Sequence, residues 1–400
     1  MNKLLFSVLL TGAAFLGTNA SANPQFDQCL PTLQKRALAA GISPATVNSV
    51  IPALQYQEKV IELDRHQPEF VETFQNYMAK RVTPNRVKAG REMLVKYQPL
   101  LEKLLRQYGV PPQYLIAFWG IETHYGSYLG KMPVLDSLAT LACDQRRSEF
   151  FTSQLLEALK MVDAKTVEPK DFLGSWAGAV GNMQFMPSAY RRYAVDADGD
   201  GKADLWHSIP DALTSAAHYL NELGWERELR WGREVILPKK FDYGLTSMAQ
   251  ARDLKAWRAM GVKMANGKPL PNYSTRAAIL LPAGHTGPAF IVYDNFNVIL
   301  KWNRSEFYGI AVGHLADRIS GASELEKAPP DQPRLSRAIV RALQQGLDDA
   351  GFDAGTPDGI LGLATRSAVR EYQLAKGLIV DGYPSQEVFQ SLGIPYPQNQ

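Results

Sequence analysis

Two segments of the chain carry residue types that can do acid chemistry. Residues 120–126 read Gly-Ile-Glu-Thr-His-Tyr-Gly and follow an apolar helical pattern, so Glu122 lies at the end of a predicted helix. Residues 175–187 are rich in glycine and offer Ser175 and Gln184 but no charge. Desolvation and the negative end of the helix dipole both favour the protonated form of Glu122. Such an acid can protonate the oxygen of a leaving group.

The aromatic residues around Glu122 indicate the kind of substrate. Trp119, Tyr125 and Tyr128 lie close to it in the sequence, and aromatic rings are platforms on which sugar faces stack. A carboxylic acid in such a cleft favours cleavage of a sugar–sugar bond. From the residues alone, a structural Glu122 paired with Arg or Lys stays open as an alternative. A second carboxylate is not evident, because Asp136 and Asp144 read equally well as cap or surface residues.

The N-terminus and the composition limit the class of protein. Lys3, the apolar run from Leu4 to about Leu16 and the small residues 20–22 predict a secretory signal peptide over residues 1–22. Thr18 stands where a lipoprotein signal needs cysteine, and no later stretch could span a membrane. We therefore expect a soluble exported protein. The net charge of +3 indicates no strong attraction to nucleic acid.

The chain has two cysteines, Cys29 and Cys143. In an oxidising compartment we expect them to form a disulfide, and the alternative is two buried free thiols. A cysteine metal site is not expected, since neither residue has a neighbour at ligand spacing.

Hydrophobic periodicity divides the chain into segments. Helical spacing runs from about Asp27 to Leu223, and Pro111 and Pro112 open the helix that leads to Glu122. Short apolar runs predict strands at 277–281 and 289–292. Helical character returns at 304–319, a Pro-rich linker follows at 320–333, and a compact unit of about sixty residues with three helices ends the chain. In this unit, Thr365 and Ser385 are expected to cap the second and third helices.

Ordered motifs extend over about Val60 to Leu315. They resemble those of lytic transglycosylases of the membrane-bound lytic transglycosylase B type, which cleave the β-1,4 bond between MurNAc and GlcNAc in peptidoglycan and leave 1,6-anhydro-MurNAc ends. The resemblance implies a mainly α (α+β) fold, with a lysozyme-like catalytic core and a small strand-containing insertion. The motifs are residues 62–70, 108–112, 120–123, 136–141, 175–187 and 303–305.

The same resemblance assigns roles to individual residues. Glu122 would be the single general acid and base, and Ser175 and Gln184 would orient it and the substrate. Glycines at 178 and 181 would let the backbone approach the glycan closely. Trp302 stands where relatives often have tyrosine, so stacking is expected to survive and a hydroxyl hydrogen bond to be lost. The other residues expected to bind substrate are Asn303, Tyr308, Tyr77, Tyr219, Arg146 and Arg147.

Arg146 and Arg147 allow two interpretations. They could meet carboxylates of the peptide stem of the substrate, or they could form a solvated surface pair.

An acidic loop predicts a metal site. Asp196, Asp198 and Asp200 alternate as at the start of an EF-hand loop, with Lys202 contributing its backbone carbonyl. The twelfth position is His207 instead of glutamate, and the resemblance implies closure by Asp211. We expect structural Ca²⁺ here and no cofactor for catalysis; the alternative is an Asp/Gly turn without metal.

The C-terminal unit has motifs of its own at 358–369, 372–373 and 377–382. They resemble the three-helix peptidoglycan-binding module. The expected organisation is a signal peptide at 1–22, a catalytic domain at 23–319, a linker at 320–333 and a binding domain at 334–396.

The expected location is the periplasm, and the expected partners are peptidoglycan glycan strands. Cell-wall synthesis enzymes are further candidate partners. The alternatives are a hydrolase that uses a second carboxylate, best Asp136, and a wall-binding protein without activity.

Overall fold

The computed structural model of the chain describes residues 23–65 and 72–398. The predicted signal peptide and residues 66–70 of the first family-like motif lie outside the described residues. The predicted mainly helical fold class, with small sheets, is confirmed. No helix in the described ranges is both long enough and apolar enough to cross a bilayer.

Helices are the main secondary structure of the described residues up to 222. Local sequence starts them: Asn23, Ser43 and Thr83 accept hydrogen bonds from the first-turn amides of their helices, and proline follows each of these caps. The helices are α1 (Pro24–Ala39), α2 (Pro44–Val50), α3 (Glu58–Arg65), α4 (Phe74–Arg81), α5 (Pro84–Lys96), α6 (Gln98–Tyr108), α7 (Pro112–Thr123), α8 (Val134–Cys143), α9 (Ser148–Asp163), α10 (Pro187–Tyr193) and α11 (Ile209–Glu222).

Helix α7 is the centre of the main hydrophobic core. Every residue from 114 to 120 is buried, because α7 packs against α5, α6 and α11 and against the later helix α14 (Glu306–Ile319). Gly120 allows the chain to fold back tightly after the helix, since a Cβ there would lie 2.7 Å from the Tyr125 ring. The helix that carries Glu122 is therefore enclosed by other helices over most of its length.

The expected strands lie in an antiparallel insertion with its own small core around Trp257. Both predicted runs form strands, as expected, and the two strands pair with each other. The sheet order is β4-β6-β7-β3-β5. The strands are β3 (Gly232–Ile236), β4 (Arg252–Asp253), β5 (Lys263–Met264), β6 (Arg276–Leu280) and β7 (Ala289–Val292); β1 (Met132–Pro133) and β2 (Leu173–Gly174) pair separately, and α12 (Leu254–Ala259) lies between β4 and β5.

Helix α13 (Asp294–Trp302) follows the sheet directly and was not separated from the strand region by sequence reasoning. It leads into α14 through the short segment 303–305. Both helices belong to the main core, with Phe296, Ile299 and Ile310 fully buried. The strand insertion is thus placed between α11 and a helical pair that returns to α7.

The C-terminal unit contains the three predicted helices, α15 (Arg337–Asp349), α16 (Leu363–Ala375) and α17 (Gln386–Ser391), around a separate core. Ser385 precedes α17 as expected. Thr365 was expected to cap α16, and this is wrong: Gly362 is the cap, while the buried Thr365 hydroxyl donates to the Ala354 carbonyl at 3.2 Å.

Polar contacts join this unit to the strand insertion. The Asp381 carboxylate accepts the backbone N–H of His285 at 2.9 Å and lies 2.7 Å from its Nδ1. Before α15, Glu234 on β3 accepts the amides of Glu326 and Lys327, both at 2.8 Å, and burial raises the pKa of this carboxyl. The chain between α14 and α15 is therefore attached to the sheet.

A disulfide joins Cys29 in α1 to Cys143 at the end of α8, across 114 residues of chain. Neither cysteine is free. The bond closes a large loop, and such cross-links restrict the unfolded chain strongly.

We predict that Cys29→Ser/Cys143→Ser lowers the free energy of unfolding by about 2–5 kcal/mol. Urea unfolding followed by circular dichroism measures it. Reductant should shift wild type in the same direction and leave the double variant unchanged. Equal midpoints for wild type and variant would contradict the stabilising role.

Candidate active site

Glu122 lies in the last turn of α7 and is half-buried. Trp302 Nε1 donates a hydrogen bond to Glu122 Oε1 at 3.0 Å, and the Tyr308 hydroxyl donates to the same oxygen. Trp302 ends α13, and Tyr308, which is buried, lies in the first turn of α14. The acid is thus oriented by uncharged donors from two other helices.

Trp302 has a larger role than the sequence indicated. Its ring packs between Phe118, at a centroid distance of 4.6 Å, and Tyr219, at 5.1 Å, with Phe185 at 5.3 Å. Tryptophan has no hydroxyl to donate here, but its indole N–H provides a hydrogen bond that was not predicted. Stacking on several sides keeps this donor aimed at the acid.

Asn182 connects the glycine-rich turn to the helix of the acid. Its Oδ1 accepts from Trp119 Nε1 at 3.0 Å, and its backbone carbonyl accepts from the Thr123 hydroxyl at 2.8 Å. Its Nδ2 donates to the carbonyls of Leu205, at 3.1 Å, and Trp206, at 2.9 Å. Sequence reasoning gave Asn182 no role. Its signal was an amide in an otherwise apolar stretch, between Gly181 and Met183.

Ser175 and Gln184 stabilise the same turn. Ser175 Oγ accepts the Ala179 amide at 3.0 Å, and Gln184 Nε2 donates to the carbonyls of Leu129, at 3.1 Å, and Gly181, at 3.0 Å. Among the described contacts, neither side chain bonds to Glu122. Their predicted roles toward substrate stay predictions.

The reason expected for the glycines at 178 and 181 was incomplete. Both have positive φ, and a Cβ would collide with Leu138 at 2.5 Å in the first case and with the Leu205 carbonyl at 2.6 Å in the second. Protein packing already requires glycine at both positions.

Backbone strain concentrates at this end of α7. His124, Tyr125 and Gln184 adopt positive φ values of 52°, 60° and 47°. Residues other than glycine rarely occupy this region, and they do so mainly where the surrounding structure enforces it. The turn after Glu122 is therefore held in one conformation.

A cavity of about 240 Å³ opens beside the acid. Glu122 is the one carboxylate among its described lining residues. Three of the predicted substrate residues, Tyr77, Asn303 and Tyr308, line this cavity together with the acid. Tyr77 is buried, and its ring packs on Phe307 at a centroid distance of 5.8 Å. Two arginines in the lining were not predicted; Arg81 lies four residues after Tyr77 in α4, and this spacing was the available signal. The lining residues are Tyr77, Arg81, Arg86, Ile121, Glu122, Asn303 and Tyr308.

The acidic loop brings three carboxylates together. Oxygens of Asp196, Asp198 and Asp211 lie within 4.8 Å of one another. Asp211 is fully buried and accepts the amides of Ala197 and Asp204, both at 2.8 Å. Asp200 accepts the Lys202 amide at 2.9 Å and is outside this group. Carboxylate oxygens are the ligands that Ca²⁺ prefers, so the donor set fits this ion.

Residues 25–317 match the family model described as the transglycosylase SLT domain, and residues 336–392 match that of the putative peptidoglycan binding domain. The chain belongs to the SLT-domain transglycosylases. The family expected from the sequence motifs is confirmed.

Individual relatives agree with this assignment. The chain is 32% identical over 252 residues to membrane-bound lytic murein transglycosylase B of Escherichia coli K12, a match that covers 61% of this chain and 66% of the relative. SltB3 from Pseudomonas aeruginosa in complex with NAG-anhNAM-pentapeptide is 42% identical, with a TM-score of 0.86 over 93% of this chain and 100% of that chain. Escherichia coli Slt35 in complex with calcium is 29% identical, with a TM-score of 0.63 over 76% of this chain and 95% of that chain.

Arg146 and Arg147 both form ion pairs with the buried Asp64. Arg146 Nε donates to Asp64 Oδ2 at 2.9 Å, and Arg147 Nη2 donates to Asp64 Oδ1. Both arginines are nonetheless partly exposed, at 39% and 42%, so they form a surface pair that is anchored on a buried acid. Their role toward substrate stays a prediction, and neither lines the cavity beside Glu122.

The two other candidate acids are likewise engaged. Asp136 accepts the Gln55 amide at 3.0 Å and Gln57 Nε2 at 3.3 Å, and burial raises its pKa. Asp144 accepts the Arg146 amide and Arg65, both at 3.0 Å. Neither lines the cavity that contains Glu122.

We predict that Tyr308→Phe lowers kcat/KM on peptidoglycan by about tenfold or more, because hydrogen bonds to an ionisable acid contribute about 1.5–3 kcal/mol. Trp302→Phe should act in the same direction. Release of soluble glycan fragments under initial-rate conditions measures both.

Tyr273→Phe removes a hydroxyl from an exposed residue and is the matched control, with wild-type activity expected. Thermal unfolding should show that Tyr308→Phe stays folded. Full activity in Tyr308→Phe would show that its hydroxyl does not act on Glu122.

Proposed function

We propose that this protein is a lytic transglycosylase that cleaves the MurNAc–GlcNAc β-1,4 bond of peptidoglycan without water and leaves 1,6-anhydro-MurNAc ends. One observation carries the proposal: Glu122 is the sole carboxylate among the described residues of the cavity, and the uncharged donors Trp302 and Tyr308 hold it. An ordinary retaining or inverting glycosidase would need a second carboxylate facing the bond.

The first step uses the carboxyl as an acid. Because Glu122 Oε1 accepts two hydrogen bonds, the proton is best carried on Oε2. Glu122 gives this proton to the glycosidic oxygen, the C1–O bond of MurNAc breaks, and GlcNAc leaves with a new hydroxyl. The acetamido group of the substrate stabilises the positive charge at C1.

The second step uses the same group as a base. The Glu122 carboxylate takes the proton of the C6 hydroxyl of MurNAc while that oxygen bonds to C1. The carboxyl is then protonated again, and the anhydro ring is closed. The ligand in the SltB3 complex, NAG-anhNAM-pentapeptide, contains such an anhydro sugar and supports this outcome.

The other assignments from the sequence belong to this proposal. Bound glycan would contact Ser175, Gln184, Asn303, Tyr77 and Tyr219, with Arg146 and Arg147 toward its peptides. The domain at 334–396, joined through 320–333 to the catalytic domain at 23–319, would hold the enzyme on the wall and raise the local substrate concentration. The location would be the periplasm, where cell-wall synthesis enzymes are predicted partners.

We predict that wild-type protein converts purified peptidoglycan to fragments with anhydro-muramyl ends and that Glu122→Gln loses this activity by at least about a thousandfold, since no other described residue of the cavity is an acid. Mass spectrometry of the fragment ends measures the product.

Asp136→Asn is the informative companion variant, because Asp136 is the acid that a hydrolase would need. It should retain the anhydro product. Reducing ends, heavier by one water, would make the protein a hydrolase, and cleavage by neither wild type nor variant would leave a wall-binding protein.

The acidic loop is proposed as a structural Ca²⁺ site. Its ligands would be Asp196, Asp198 and Asp211, with Asp200 and the Lys202 carbonyl completing the oxygen shell. The ion would offset the repulsion between clustered carboxylates, one of which is fully buried. The Slt35 complex with calcium supports the choice of ion.

We predict that Ca²⁺ raises the Tm, because an ion that binds only the folded state adds about 2.7 kcal/mol at a hundred times its Kd. Asp196→Asn should abolish the shift. Asp204→Asn, in the same loop but paired with His207, should keep most of it. Calorimetric titration of EDTA-treated protein checks binding directly, and absence of heat with Ca²⁺ would leave a metal-free turn.

A further inference from the structure

The cavity beside Glu122 contains two cations that the proposed reaction does not use. Arg81 ends α4, and Arg86 lies in the first turn of α5, so a tight turn places both guanidinium groups at one wall. Glu122, Tyr308 and Asn303 line the same cavity.

Arg81 is held without using its hydrogen-bond donors. Its guanidinium lies 5.1 Å from the centre of the buried Tyr77 ring, a cation–π contact. In the described part of the chain, the Arg81 side chain forms neither an ion pair nor a hydrogen bond. This contact orients the guanidinium, and no described residue accepts a hydrogen bond from its five N–H donors.

Arg86 stabilises the turn that leads from Arg81 into α5 through its hydrogen bonds. Its Nε donates to His124 Nδ1 at 3.3 Å, and its Nη1 donates to the carbonyls of Lys80, at 3.0 Å, and Arg81. Burial, with Arg81 nearby, lowers the pKa of Arg86. Its hydrogen-bond partners among the described residues are neutral, so no described ion pair offsets the positive charge of Arg86 at this wall. An anion would be favoured there.

The substrate brings such an anion to this place. The peptide stem is attached to the same muramic ring whose C1 meets Glu122, and it carries free carboxylates. A stacked guanidinium is suited to bind a carboxylate through two parallel hydrogen bonds. The arginines first expected to meet the stem, Arg146 and Arg147, are already paired with Asp64.

We infer that Arg81, supported by Arg86, binds a carboxylate of the peptide stem, so that the active site favours peptide-bearing glycan over naked glycan. The inference rests on the proposed function, because it assigns a specificity residue to that same site.

The test compares kcat/KM on intact glycan strands and on the same strands freed of peptides by an amidase. Arg81→Gln should lose about tenfold to hundredfold on intact strands, as expected for a charge-assisted hydrogen bond, and change less than about twofold on naked strands. Arg81→Lys should recover part of the loss, and Arg86→Gln should weaken the same preference. Lys88→Gln, which removes an exposed positive charge from α5, is the matched control and should behave as wild type.

Equal losses on both strands would make Arg81 a structural residue and overturn the inference, as would no loss on either. A wild type that releases no anhydro ends from either strand would instead refute the proposed function.

Binding tests the inference independently of turnover. In a Glu122→Gln background, GlcNAc-MurNAc-pentapeptide should bind about tenfold more weakly after Arg81→Gln. The same ligand with its carboxylates converted to amides should be insensitive to this change. Equal sensitivity of the two ligands would show that no carboxylate is recognised.

Discussion

A carboxyl group at the end of an apolar helix needs hydrogen-bond donors that bring no formal charge. An arginine or lysine against Glu122 would hold it ionised. Indole and phenol donors orient the group and still permit it to give up and regain a proton. Trp302 and Tyr308 provide these donors from α13 and α14, nearly two hundred residues further along the chain. This junction lies at the end of the main core, where α14 packs against α7 and α13 leads into α14.

A second layer keeps the donors in place. Trp302 is packed by aromatic rings on several sides, and Asn182 ties the glycine-rich turn to Trp119 and Thr123. The same amide bonds to the carbonyl of Trp206, which directly follows the acidic loop. The predicted metal loop is therefore connected to the acid through one buried side chain. Rigid support of this kind reduces the reorganisation that a proton transfer requires.

Much of this arrangement was readable in the sequence because it depends on local patterns. Periodicity and proline positions predicted α7, and short apolar runs predicted β6 and β7. Motif resemblance correctly predicted the family, and three of the predicted substrate residues lie with Glu122 in its cavity.

Contacts between segments that are distant in the sequence were harder to predict. The hydrogen bond from the Trp302 indole to Glu122 was not predicted, because a ring nitrogen aimed at an acid on another helix leaves no local trace. The pairing of Arg146 and Arg147 with Asp64 is equally non-local. Thr365 has the chemistry of a cap, but its hydroxyl instead serves a carbonyl in the core of its module.

The long sequence separation between Glu122 and its donors has a consequence for the cell. An enzyme that cuts the wall is dangerous wherever it is active at the wrong time. Until α13 and α14 have been synthesised and docked, the acid lacks both hydrogen bonds that orient it. A truncated or half-folded chain is therefore a poor catalyst, and the wall is protected from cleavage until the fold is complete.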